Sequence, residues 1–237
     1  VLTLDEAVKV TRTGDLWVFR GRSAPDRAIQ TMTNSPVNHV GMAIVIEDLP
    51  PMMWHAELGK SLLDLWSGTH QRGVQLHDLR AAVTVWADRY GQRAWLRQLD
   101  PEATPEMEDA ALRTVARLDG TPFPSTARLA ARWAKGRLPA LPRPHLPGLA
   151  HLPGLARLPR LPRLPLVRRG SREERTLESA YCAEVVAVTY EEMGLLPGGR
   201  RPNWYDPGRF WSGDDLELLL GRRLGNEITV GVERTRP

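Results

Sequence analysis

Only one cysteine, Cys182, occurs among the 237 residues, so an internal disulfide is excluded and the redox compartment is left open. No run of eighteen apolar residues occurs, which excludes a membrane-spanning helix. Lysine is scarce: Lys9, Lys60 and Lys135 are the only three among 32 basic residues, a bias that reads as GC-rich codon usage. Several chemical signatures are missing as well. There is no His-Glu-x-x-His and no cysteine pair; "WHAE" around His55 offers one imidazole and one carboxylate, so no metal and no cofactor are expected. Neither "GLLPGG" nor "LLLGRRLG" has the glycine spacing or the Lys-Ser/Thr end of a phosphate cradle, and the Gly-x-Ser-x-Gly elbow of serine hydrolases is absent. No signal peptide is visible at Val1, and there is no initiator Met. The reading leans toward the cytoplasm while leaving room for a removed leader.

What is present is an uneven charge. Between Gly136 and Arg172 there are eight arginines and no acid, and the remainder carries 24 basic against 28 acidic residues. The basic character therefore belongs to one segment. That segment, "GRLPALPRPHLPGLAHLPGLARLPRLPRLPLVRRGSR", repeats Leu-Pro at a density that forbids helix and central strand. As polyproline II, "RLPRLPRLP" lines arginines along one edge and leucines along another. Residues 136–175 read as an insertion in one domain spanning 1–237. This insertion is either a solvated loop or, over 138–170, an arm for an anionic membrane surface or a protein partner. Arginine without interleaved aromatics makes nucleic acid an unlikely partner.

Hydrophobic residues make up 42% of the chain, enough for a core. Strands are predicted at 15–21, 39–48 and 52–58, and a fourth at "AVTVWADRY" (82–90). "TPEMEDAALRTVARLDG" (104–120) predicts a helix, with Thr104 as cap, Pro105 at the first position and Gly120 as stop. A second helix is predicted over 125–135. Ser179 is the predicted N-cap of a helix that has Cys182 near its third position and Tyr181, Val185, Val188 and Met193 inward. The tail predicts a turn, a short helix and a final strand at 227–233. The whole reads as an α+β domain.

A thiol in the first turn of a helix is activated by the local positive potential, and the same N–H groups can hold an oxyanion. It needs a base. His145 and His151 fall in the Pro-rich arm, and His70 and His77 in a polar connection. His39 opens an apolar strand. His55 lies in the next strand, with Glu57 two residues on and facing the same way. A base on one strand with an orienting polar group on the next is the arrangement a thiol–imidazole pair requires. Trp204, Tyr205, Phe210 and Trp211 form the most local aromatic cluster, read as core packing or as a substrate wall beside Cys182.

The ordered set "GDLWVFRG", "NHVGMAIVI", "MMWHAEL" and "AYCAEVVAVTYEEMGLL", with "VTVWADR", "LDGTPF" and "YDPGRF" between and after, resembles the circularly permuted branch of the papain-like NlpC-type superfamily. That branch includes YiiX-like permuted amidases and, more distantly, lecithin–retinol acyltransferase-like proteins. The resemblance implies an α+β papain-like fold, an antiparallel sheet packed against helices that include the Cys helix. It implies Cys182 as nucleophile, His39 as base and His55 as third residue; permuted relatives often carry Glu at the His55 position and other members His, a departure that makes Glu57 the alternative third residue. Ala183 departs from the Ser that relatives often have. Tyr181, Trp204, Tyr205 and Phe210 are the expected substrate-binding residues. The implied activity is a cysteine amidase or peptidase cleaving peptide- or lipid-type amides or esters through a thioester. The alternatives are an acyltransferase and a non-catalytic module that binds through its basic arm.

Overall fold

The computed structural model describes residues 1–21, 35–57, 59–122, 171–199, 204–214 and 216–232, with 171–180 as helix backbone alone. The predicted helix at 125–135 and the Pro-rich stretch 136–170 lie outside the described residues. The chain is α+β, with a mostly antiparallel sheet packed against helices. Its elements are β1 (Leu2–Thr3), α1 (Leu4–Val10), β2 (Leu16–Arg20), β3 (His39–Ile44), β4 (Met52–Glu57), β5 (Gly73–Asp78), α2 (Leu79–Tyr90), β6 (Arg93–Arg97), β7 (Leu99–Asp100), α3 (Pro105–Leu118), α4 (Ser171–Glu192), β8 (Arg223–Leu224) and β9 (Ile228–Gly231). Seven strands form one sheet in the order β1-β9-β6-β2-β3-β4-β5, and β7 pairs with β8 apart from it. Among the described strands only β1 and β9 pair in parallel.

Both faces of the sheet are covered, which explains why all six residues of β3 are buried and why its sequence reads as a continuous apolar run. Alternation sorts the side chains. Val18, Val40, Met42, Trp54 and Ala56 point to one face and pack against α3 and α4. Trp17, Phe19, Ala43 and Met53 point to the other and pack against α1 and α2. On the first face the Trp54 indole N–H donates to Thr189 Oγ1 (3.0 Å), tying β4 to α4. Tyr190 on α4 donates its hydroxyl to the Gly14 carbonyl at 2.5 Å.

Two predicted elements differ from those observed. Residues 82–90 belong to a helix, α2, not a strand. Leu79, Ala82, Val83, Trp86 and Ala87 are its buried residues, a helical period that the β-branched run "VTV" hides. Asp78 caps its start by accepting from Ala81 N, and Gly91 ends it in the left-handed conformation (φ 61°). The second difference concerns the cysteine helix. It begins at Ser171, so Ser179 is an interior residue and not its N-cap. Cys182 therefore lies well inside the helix, beyond the first turn where free N–H groups and the dipole would favour a thiolate.

Asp15 is structural, as its Gly-Asp turn suggests. Its carboxylate accepts from Arg12 N (2.9 Å) and Leu99 N (2.8 Å), and burial pushes its pKa up to about 6. Asp119, at the end of α3, is also held high, at about 7, by burial and then by the nearby Asp64 carboxylate. Its folded value exceeds the unfolded 3.8, so its contribution to stability is present at acid pH and lost as pH rises through about 7. Asp119→Asn removes that repulsion. The variant is expected to melt about 2–4 °C above the parent at pH 8, the gap narrowing as pH falls below about 7 and closing only below the unfolded value of 3.8, as read by thermal unfolding across pH.

A candidate metal centre under helix α2

Three neighbouring strands each place one imidazole on the α2 face of the sheet. The His39 ring packs edge-on to Trp86 at 4.9 Å between centroids, and the His55 ring does the same at 4.9 Å. Gly41, between them in the pleat, leaves the space: a Cβ there would collide with Met53 and press on His55. His77 on β5 follows, its ring 4.9 Å from that of His55.

The rings are joined nitrogen to nitrogen. His39 Nε2 lies 3.2 Å from His55 Nδ1, and His55 Nε2 lies 3.0 Å from His77 Nδ1. His77 Nε2 lies 2.9 Å from Gln75 Oε1. Gln75 uses its amide N–H groups on the carbonyls of Glu57 and Gly73, which leaves its oxygen to accept. His77 Nε2 must then donate, so its Nδ1 carries a lone pair and accepts from His55 Nε2–H. His55 Nδ1 in turn accepts from His39 Nε2–H. The amide of Gln75 thus sets the tautomer of all three rings. Burial favours the neutral forms throughout. It lowers His39 to about 3 and His77 to about 4, and it holds His55 well below the usual histidine range, with charge repulsion from the neighbouring rings adding to the effect at His39 and His55.

Glu57 completes the group. Its Oε2 is buried without a hydrogen-bond partner and lies 4.0 Å from His77 Nδ1. Burial, the dominant effect, pushes its carboxyl up to about 7 against the lowering influence of the Trp86 N–H and Arg89. One ligand atom each from His55, Glu57 and His77 lies within 4.8 Å of the others. A tetrahedral ion with ligands at about 2.0–2.2 Å needs them about 3.3 Å apart, so sub-ångström to ångström side-chain shifts close the set. Two neutral imidazoles and a carboxylate with an open fourth position suit a zinc-class divalent ion. An unpartnered buried carboxylate oxygen is costly, and a cation offsets that cost.

The expected site residues are thus divided. His39, His55 and Glu57 come together on the α2 face. Cys182 is fully buried on the opposite face, in the cluster with Val40, Met42 and Trp54, so the sheet lies between its sulfur and the His39 ring. The expected Cys182–His39 pair is not formed. Tyr181, Tyr205 and Phe210 belong to the same core cluster as Cys182, with Trp204 packed against it. Tyr205 and Phe210 stack at 6.1 Å and Phe210 meets Tyr190 at 6.4 Å, so this group packs the floor under α4. Against the expectation of no metal, His55, Glu57 and His77 form a group that could hold a metal ion. His77 and Gln75 were missed because their stretch read as a polar connection. The signal was the alternation Val74-Gln75-Leu76-His77, a half-buried strand with two polar residues on one face.

No family model and no curated protein matches the chain. Among solved structures it is similar to one titled "Crystal structure of metalloprotein yiiX from Escherichia coli O157:H7, DUF1105". The two share 18% identity over 80% of this chain and 68% of that chain, with a TM-score of 0.44. A likeness of this size assigns no family and no activity.

Proposed function

We propose that the chain is a metal-dependent hydrolase of amide or ester bonds, its divalent ion held by His55 Nε2, His77 Nδ1 and Glu57 Oε2. The observation that carries the reading is the Glu57 Oε2 atom: buried, without a partner, and converging with two neutral imidazoles. When the ion is bound, His55 takes its other tautomer and donates from Nδ1 to His39 Nε2, the outer hydrogen bond that a ligating histidine ordinarily makes. Gln75 does the same for His77. The ion supplies Lewis acidity toward a carbonyl or water. His39 Nε2 accepts that bond, so His39, neutral through burial, is the residue that orients the His55 ring. The substrate class, peptide- or lipid-type amides or esters, follows the sequence resemblance.

The thiol plays no part in this reading. Acyl transfer through a thioester would need the expected base beside the nucleophile, and the His39 ring packs on Trp86 on the other face of the sheet from Cys182. Cobalt titration of the purified chain tests the proposal. One equivalent is expected to give the visible absorption of a tetrahedral site, lost in Glu57→Gln and unchanged in Cys182→Ala. Turnover of a panel of aryl esters and peptide anilides is expected to disappear on chelation and to survive Cys182→Ala. Loss of turnover in Cys182→Ala, with cobalt binding intact, would return the nucleophile to the sulfur.

A further inference from the structure

The segment between β4 and β5 exposes apolar side chains on a rigid frame. Leu63 and Leu65 are each 44% exposed and Trp66 is 48% exposed, although the surrounding loop is fully organised. Its organiser is Asp64, which is completely buried. One carboxylate oxygen accepts from Leu76 N (2.8 Å); the other accepts from Ser67 N (2.9 Å), the Ser67 hydroxyl and Gln71 Nε2 (2.9 Å). A backbone bond from Asp64 N to Thr69 O (2.9 Å) closes the loop on itself, and one from Leu65 N to Leu76 O (2.7 Å) anchors it to β5. A loop held this firmly does not expose a tryptophan and two leucines through lack of order, and a cluster of this kind marks an interaction site.

The charge around it selects the partner. Lys60, His70 and Arg72 flank the tip and are exposed, while the loop's only acid, Asp64, is buried and fully bonded. Gln71 also reaches Asp119 (3.4 Å), so the chain turns away beside this loop at the end of α3. Beyond it no acidic residue occurs between Asp119 and Glu173. Apolar side chains including tryptophan, rimmed by cations and adjoining the start of an acid-free basic stretch, match the interface of an anionic bilayer. We propose that the 61–72 loop docks the chain on anionic lipid surfaces through Leu63, Leu65 and Trp66, with Lys60 and Arg72 on the headgroups. This proposal stands independently of the metal centre.

The test is vesicle flotation of the full chain, using pure phosphatidylcholine or equal parts phosphatidylcholine and phosphatidylglycerol. Binding is expected to the mixed vesicles only, and to weaken with salt. Leu65→Ser/Trp66→Ser is expected to cut that binding about tenfold or more, and Lys60→Glu/Arg72→Glu to do likewise. The thermal midpoint and far-UV circular dichroism are expected to stay unchanged in both, which shows that the fold is kept whatever the outcome for the metal reading. Equal binding by the parent and the Leu65/Trp66 variant overturns the proposal, as does equal binding to both vesicle types or to neither. A dimer in gel filtration that only the Leu65/Trp66 variant loses, without vesicle binding by the parent, assigns the loop to a second copy instead.

Discussion

Replacing Arg97 with alanine is expected to destabilise the chain by about 3–5 kcal/mol, a large share of the roughly 5–15 kcal/mol that holds a domain of this kind folded. Arg97 ends β6 and is 5% exposed. Its guanidinium donates to three backbone carbonyls: Gly225 at 2.7 Å, Phe210 at 2.6 Å and Leu224 at 3.1 Å. Glu227 stands 3.5 Å from its Nε and itself accepts from Ser212 N (2.6 Å) and the Ser212 hydroxyl (2.7 Å). One side chain thus gathers the 207–214 turns, β8 and the approach to β9 onto the sheet. Alanine leaves buried carbonyls without donors and a half-buried carboxylate without its cation. Arg97→Lys is expected to recover less than half of the loss, because an ammonium on a single stem cannot serve three carbonyls in a fork geometry. Denaturant unfolding of the two variants, with m compared to the parent, reads the effect.

The second large effect concerns the metal. Glu57→Gln and His77→Ala are each expected to weaken zinc binding by more than about 100-fold, and Gln75→Leu by about 10–100-fold. Gln75 touches no metal. It acts by holding the His77 ring with its proton on Nε2, so that Nδ1 presents a lone pair. Glu57→Gln separates binding from folding most cleanly. The amide is nearly the same size as the carboxyl, and it carries no charge to bury when no ion is present. The zinc-free variant is therefore expected to be no less stable than the zinc-free parent, while the stabilisation that zinc gives the parent disappears. A purely structural role for Glu57 would move both measurements in the same direction.

Much of the fold was legible because local signals agreed with the tertiary outcome. Thr104 caps α3 by accepting from Met107 N, with Pro105 at its first position, and the apolar period follows to Leu118. β2, β3 and β4 fall within their predicted bounds because their buried runs are bounded by Gly-Asp and Pro-Pro breaks. The errors share one cause. The propensity of "VTVWADRY" is for strand, yet Trp86, Val83 and Leu79 find their burial only as one side of a helix laid over β4 and β5. Ser179 is a good cap by type, but α4 already runs from Ser171, and the start of a helix is not fixed by a capping residue alone. Most of the candidate site was visible as His39, His55 and Glu57. Which face of the sheet the cysteine helix would cover was not, because that choice is made by packing between distant elements. Period-two alternation fixes that His39 and Val40 point apart; it does not say which of them meets α4.

Zinc per chain, measured by elemental analysis after saturation and dialysis against metal-free buffer, tests the central claim most directly. The account predicts one zinc in the parent and in Cys182→Ala, and close to none in Glu57→Gln with the thermal midpoint of its zinc-free form retained. A parent that keeps no zinc, or a Glu57→Gln variant that keeps as much as the parent, contradicts it.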